Sequence, residues 1–305
     1  MTRTESNIVL FSITLCWASS YIFIKNLPDT LSPFAYLTMT AGIASIILLV
    51  VFFKRLREFN KKLLLRSGLM AAIICGNLIF ERLGVVTIPA STASFIASLN
   101  IVIVPLLMLF LRKKPSKNNL LGIILIFAGL ALTSGIRIGQ SLDIGVLYMF
   151  FGCFFMAGYI ICTDKFTKDY NPLLLGIGQM FFITIISFVL WSVEEPKTFF
   201  AISYTNEMLA NIFLLAFFAK AYAYIMLMYS QKYANPLSVT VIASTEPIVT
   251  MVLALLIPNT FGGTESFTLI KLTGALFIAS GAICAGTDFL SKKEVKPLDG
   301  NPVSL

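Results

Sequence analysis

Ala90-Ser91-Thr92-Ala93-Ser94-Phe95-Ile96-Ala97-Ser98-Leu99-Asn100 opens a stretch, 91–111, in which no side chain carries a charge. That stretch is long enough to cross a bilayer core as a helix, which takes about 20 apolar residues. It ends on the basic run Arg112-Lys113-Lys114-Pro115-Ser116. A second segment, Pro236-Leu237-Ser238-Val239-Thr240-Val241-Ile242-Ala243-Ser244-Thr245-Glu246, has the same shape at a constant offset of 146. Both close on Ala-Ser, one further residue and a polar one. Next in each half comes an apolar helix with two glycines seven apart, Gly122 and Gly129 in one and Gly274 and Gly281 in the other. Trp17-Ala18-Ser19-Ser20-Tyr21 and Met156-Ala157-Gly158-Tyr159 add a weaker match. Self-similarity in a fixed order marks an internal repeat.

Working outward, the same length criterion picks ten spans: 8–24, 33–53, 67–86, 91–111, 120–136, 144–163, 172–192, 206–228, 236–257 and 268–287. Pro33, Pro172 and Pro236 sit at helix starts, where the missing N–H costs nothing. Hydrophobic residues make up 57% of the chain, charged residues 12%, and the mean hydropathy is +0.88. Ordinary soluble domains carry about 25% charged residues. The composition excludes disorder, a disulfide scaffold and an ordinary soluble enzyme. It leaves an all-α, polytopic membrane protein of ten transmembrane helices. Five spans repeated twice are an odd number, so the second copy runs inverted. The expected units are 1–139, 140–290 and a polar tail, 291–305.

The net charge of +8 reads as orientation rather than as a nucleic-acid surface. With the N-terminus in the cytoplasm, 17 of the 23 Lys and Arg fall in cytoplasmic segments and 4 in outer loops. Both termini are then cytoplasmic, and a bacterial inner membrane is expected. The chain has no His, which removes imidazole chemistry and His-ligated metal. Its five Cys are scattered through apolar runs and read as packing residues. No phosphate-cradling G-x-x-x-x-G-K-[ST] run is present, so nucleotide hydrolysis is not expected. Neither a metal nor a cofactor is implied.

Charges within the membrane are costly and mark cavities or partners. Lys220 lies about 12 Å, and Glu246 about 15 Å, from the inner ends of neighbouring spans, from the rise per helical residue. Two readings stand. In one they form a polar site near the midplane, with Lys220 meeting an anionic group and Glu246 a cation or a proton. In the other they are a buried pair that fixes packing. The repeat puts Asn100 opposite Glu246, as a substrate contact or an interhelical hydrogen bond. Pro105 and Pro247 free carbonyls at that depth. Trp17, Tyr21, Tyr159, Tyr222 and Tyr224 form a candidate aromatic lining for a cation or flat group, with packing as the alternative. Glu81 and Arg82, adjacent and pointing different ways near the outer end, are candidate gating residues. Ala131/Gly135, Ala275/Ala279 and Gly281/Ala285 allow close helix approach, within a monomer or across a homodimer.

These elements in this order resemble the drug/metabolite transporter superfamily, in its ten-helix, EamA-like form. The resemblance runs over about residues 8–287. It rests on Trp17-Ala18-Ser19-Ser20, on 91–99 continuing to Pro105, on the basic run before the Gly122 helix, and on Ala243-Ser244-Thr245-Glu246-Pro247 before the Gly274 helix. Two places depart from the family's habit. Trp-Ala-Ser-Ser stands where Trp-Gly and a following Asn are usual, and Pro258-Asn259 stands where Gly-Glu is frequent. The resemblance implies inverted repeats in a basket, with helices one to four and six to nine around a cavity and five and ten at the periphery. It implies a secondary transporter, most often an exporter, of amino acids, nucleotide-related metabolites or drugs. The residues themselves point to a small-molecule substrate, a lipid bilayer, and protons as a coupling ion centred on Glu246. A zwitterion would satisfy Lys220 and Glu246 together. The competing classes are a membrane enzyme, which would need a cluster of acids or a nucleophile–base pair, and a non-transporting membrane protein, which would not need the repeat.

Overall fold

A computed structural model describes residues 3–110, 117–133, 143–234, 236–258 and 268–286. Among them there is helix, turn and short connection, and no strand. In chain order the helices are α1 (Arg3–Lys25), α2 (Pro33–Val51), α3 (Lys61–Thr87), α4 (Ala90–Ala97), α5 (Asn100–Phe110), α6 (Lys117–Thr133) and α7 (Ile144–Asp169). They continue with α8 (Pro172–Glu194), α9 (Asn206–Leu214), a π-helical segment (Leu215–Tyr222), α10 (Ala223–Gln231), α11 (Pro236–Ala243), α12 (Glu246–Leu256) and α13 (Leu269–Gly286). Short 3₁₀ turns follow α2 and α8. Eight segments are long and apolar enough to cross a membrane, with α4–α5, α9–α10 and most of α11–α12 each acting as one. The other two expected spans correspond to shorter apolar stretches, Leu120–Gly129 in α6 and Leu269–Gly281 in α13. The run 112–116, Gly135, the boundary at 139/140, Asn259 and the tail 291–305 lie outside the described residues.

Local chemistry sets the helix starts. Ser32, Asn60, Asp143, Asn171 and Thr205 are N-caps whose side chains accept from backbone N–H groups of α2, α3, α7, α8 and α9. They satisfy donors the first turn leaves open. Pro33 and Pro172 follow two of these caps, with φ already suited to the first turn.

The helices meet in pairs. α2 packs on α8, where Thr38 donates to Ser187 Oγ at 3.1 Å and Ser45 and Thr184 share a hydrogen bond of 3.1 Å. Such hydroxyl bonds join helices where apolar burial alone does not discriminate between protein and lipid. α3 packs on α7. α6 and α13 cross backbone to backbone: a Cβ on Gly129 would lie 2.6 Å from the Gly274 carbonyl, and one on Gly281 would lie 2.7 Å from the Gly122 carbonyl. Since 129 faces 274 and 281 faces 122, the two helices run antiparallel. Their other faces carry exposed Ile124, Phe127, Leu276 and Phe277, as a lipid-facing surface requires.

Candidate functional site

The two broken helices come first. α4 stops at Ala97 and α5 begins at Asn100, with Ser98 and Leu99 in a turn between them. α11 stops at Ala243 and α12 begins at Glu246, with Ser244 and Thr245 in the turn. The cause is local competition for carbonyls. Ser98 donates to Ser94 O at 3.2 Å and Asn100 Nδ2 to Ala97 O at 2.8 Å. Ser244 donates to Val241 O at 2.6 Å and Thr245 to Ile242 O at 2.8 Å. Short polar side chains thus take acceptors that the next helical turn would use. Pro247 has no N–H to continue the ladder. The interior Pro105 leaves α5 helical to Phe110.

The third element is the π-helical segment Leu215–Tyr222, inside an otherwise α-helical span. Its wider turn carries Lys220 to the interior, where the residue is 3% exposed. Isolated π segments are uncommon and recur at functional sites. Tyr36 and Tyr224 hold the ammonium between their rings, at 5.7 and 5.6 Å from the ring centroids. The faces of aromatic rings attract a cation. Among the described residues no hydrogen-bond acceptor reaches the Lys220 ammonium, and no carboxylate lies within 4 Å of it.

These elements converge on a cavity of about 60 Å³. Its walls come from α1 (Trp17, Ser20, Tyr21), α3 (Asn77, Leu78, Glu81), the α4–α5 break, α7, the π segment with Tyr224, and the α11–α12 break. Pockets that enclose small ligands run to about 300–1,000 Å³, so little unfilled space remains between these walls. Helices α2 and α8 contribute no lining residue, which departs from the basket expectation; they pack outside the lining helices.

The sequence-predicted residues divide. Trp17, Tyr21, Asn100, Lys220 and Glu246 line the cavity. Glu81, expected as a gate near the outer end, stands on the same wall. It lies within electrostatic reach of both Lys220 and Glu246. Lys220 and Glu246 are not a direct ion pair; Glu81 is the acid within electrostatic reach of both. Tyr21 and Glu246 share the cavity lining within electrostatic reach of each other. Asn100 Oδ1 is buried and has no partner among the described residues, so an acceptor remains open at the cavity.

Tyr159 and Tyr222 are not lining residues. Tyr159 is fully buried behind Tyr224, with ring centroids 5.9 Å apart, and donates to Gln179 Oε1 at 3.0 Å. Tyr222 shares a hydrogen bond of 2.8 Å with Ser12 and points away along α1. Arg82 is 1% exposed and donates to the carbonyls of Ile24, Pro28 and Leu31 at 2.9, 2.6 and 3.2 Å. Lys25 answers from α1 with bonds to Val85 O and Val86 O at 3.0 and 2.7 Å. Together the two cations tie the end of α1 to the end of α3. Asn77, Ser20, Thr240 and Ser244 are polar lining residues that the sequence reading does not name as site candidates. Asn77 was findable as an amide within an apolar span; it donates to Gly152 O at 3.2 Å.

The EamA-like transporter family matches this sequence over residues 5–135 and again over 143–287. A protein of Archaeoglobus fulgidus described as an uncharacterized transporter is 26% identical over 247 residues, covering 81% of this chain and 76% of the relative. A crystal structure of 15% sequence identity aligns over 93% of this chain and 97% of its own, with a TM-score of 0.68. At that identity it speaks for the fold alone.

Proposed function

Since the chain belongs to the EamA-like transporter family, we propose that this multi-pass membrane protein exports a small molecule bearing an ammonium group by alternating access, with a proton as the exchanged ion. The observation that carries the substrate class is the charge count of the cavity. Two carboxylates, Glu81 and Glu246, face one ammonium, Lys220. The site therefore holds one formal negative charge in excess, which a bound cation or a proton offsets. A zwitterion fits with its carboxylate on Lys220, whose donors are unserved, and its ammonium on Glu246 and the open Asn100 Oδ1. A proton then completes the balance. Trp17 lies against Tyr224, ring centroids 5.6 Å apart, and offers an aromatic face beside the head group.

The two halves act as inverted repeats, 1–139 and 140–290. The breaks at 98–99 and 244–245 and the paired α6–α13 glycines support that reading, because both features recur at constant offsets in the two halves. Inverted halves that rock about a midplane site give two openings related by symmetry. The Lys and Arg bias supports a cytoplasmic position for both termini.

The test is flux in proteoliposomes under an imposed pH gradient, with alanine, leucine, phenylalanine and phenethylamine as probes. The wild type moves at least one ammonium compound faster with a gradient, and Glu246→Gln loses that response. Equal flux with and without the gradient in the wild type rejects the proton role. Lys220→Met should slow the amino acids and spare phenethylamine; equal loss of both rejects the carboxylate contact.

A further inference from the structure

Beside the charged groups stands a wall of different chemistry. α7 presents Met149, Gly152, Cys153, Met156 and Ile160 to the cavity. The spacing of three, four, seven and eleven residues from Met149 is one face of a helix. Three of these five residues carry sulfur. Met149, Cys153 and Met156 are 3, 2 and 9% exposed, so they belong to the interior and not to a lipid-facing surface.

The cavity is too small for its proposed cargo, and one wall must give. The polar residues sit on α1, α3, the two helix breaks and the π segment, whose backbones pack on neighbouring helices. The α7 face yields by side-chain rotation alone. Methionine is unbranched, has three rotatable bonds and carries a polarizable thioether, so it adapts to irregular shapes. Met149 itself packs on the bare backbone of Gly84, where a Cβ would meet its Cγ at 2.6 Å and its sulfur at 2.8 Å, a contact only glycine permits. Cys153 is held by a hydrogen bond of 3.3 Å from its thiol to Ile96 O, which keeps the sulfur beside the α4–α5 break.

We propose that this sulfur face is the adaptable wall of the site and sets its substrate range: molecules with one constant charged head and an apolar tail of variable size that rests on Met149, Cys153 and Met156. The proposal rests on the transport reading for the identity of the head group. It adds which residues receive the tail and why the range is broad. Flexible, methionine-rich surfaces are a general route to accepting several partners.

Two measurements on the purified full chain separate this proposal from the transport reading. The first needs no substrate. Methyl and benzyl methanethiosulfonate are applied, and modification of Cys153 is located by peptide mass spectrometry. Wild-type Cys153 should take both groups at rates within about threefold. Met149→Ile with Met156→Ile keeps the volume but stiffens the wall at χ1. It should take the methyl group at the wild-type rate and the benzyl group at least about tenfold more slowly. If the isoleucine pair fails to fold, as read by its melting temperature, the leucine pair replaces it. Equal benzyl rates in wild type and variant overturn the proposal, as does a Cys153 inert to the methyl reagent. The second compares half-saturation for alanine, leucine, phenylalanine and tryptophan. The stiffened wall should weaken only the larger ones. Parallel weakening of all four overturns the proposal while leaving transport intact. Size-selective labelling without binding of any amino acid keeps the wall and rejects the zwitterion.

Discussion

Asn100 and Glu246 stand 146 positions apart, each is the first residue after a break in an apolar span, and both line one cavity. The same local device, hydroxyl and amide side chains taking carbonyls of the preceding turn, produces both breaks. The two residues differ in charge, so one cavity holds a neutral acceptor on one broken helix and an acid on the other.

Asn100 contributes one open acceptor to a ligand. Asn100→Ala should weaken half-saturation for leucine about tenfold, the equivalent of one hydrogen bond of about 1–1.5 kcal/mol. Asn100→Ser, which keeps a short hydroxyl to take Ala97 O, separates ligand loss from loss of the break. Both variants should lose affinity alike, with the higher melting temperature in Asn100→Ser. Unchanged affinity in Asn100→Ala rejects the contact.

The carboxylates should be unequal. Glu81 is within electrostatic reach of both Lys220 and Glu246, while Glu246 is not within such reach of Lys220. Glu246→Gln should flatten the pH dependence of flux. Glu81→Gln leaves Lys220 and Glu246 in formal balance, so flux should persist with a weaker response to pH. Steady-state flux from pH 5.5 to 8.5 reads both, and an identical profile in Glu81→Gln would remove it from the proton step.

Arg82 is a structural tie between α1 and α3. Arg82→Met leaves three carbonyls without their charged donor, and bonds to a charged group contribute about 1.5–3 kcal/mol each. A loss of about 3 kcal/mol or more is expected, seen as a large fall in melting temperature in detergent. Arg82→Lys keeps the charge but loses the fork, and should fall between. A melting temperature unchanged in Arg82→Met, with flux impaired, would instead support the gating reading.

The α6–α13 crossing gives a paired test. Gly129→Ala and Gly281→Ala each push a methyl onto a backbone carbonyl that cannot rotate away. Each should cost about 1–3 kcal/mol. At Gly158, a Cβ would meet only Ile73 Cγ2 at 3.9 Å. Gly158→Ala should be neutral or stabilising by up to about 1 kcal/mol, since alanine is the better helix former. Melting curves that fail to separate the pair from the control would reject the close crossing.

Much of the site was legible in the sequence because ionised and amide groups within apolar spans stand out against their background. Lys220, Glu246 and Asn100 announce themselves by cost alone. Glu81 was legible as a residue but not as a neighbour of Lys220, since its distance from the span end says nothing about which way it faces. The aromatic residues were the least readable. Trp17 and Tyr21 line the cavity, while Tyr159 and Tyr222 turn to Gln179 and Ser12, and nothing in a Phe-rich composition separates the two outcomes.

The sequence by itself determined the solvent and the architecture class. Long uncharged stretches bounded by basic clusters satisfy their backbone groups only as helices in a bilayer. It also carried the local cause of the two breaks, short polar side chains that take carbonyls of the preceding turn, whereas the glycines seven apart meet only once α6 and α13 are brought together. The tertiary structure alone decided which intramembrane groups share a cavity. Depth along a helix follows from counting residues, whereas azimuth depends on packing, on the π segment that turns Lys220 inward, and on the closure of α7 against the breaks. Charge placed in a membrane is visible one residue at a time; the pairing of charges is a property of helices brought together.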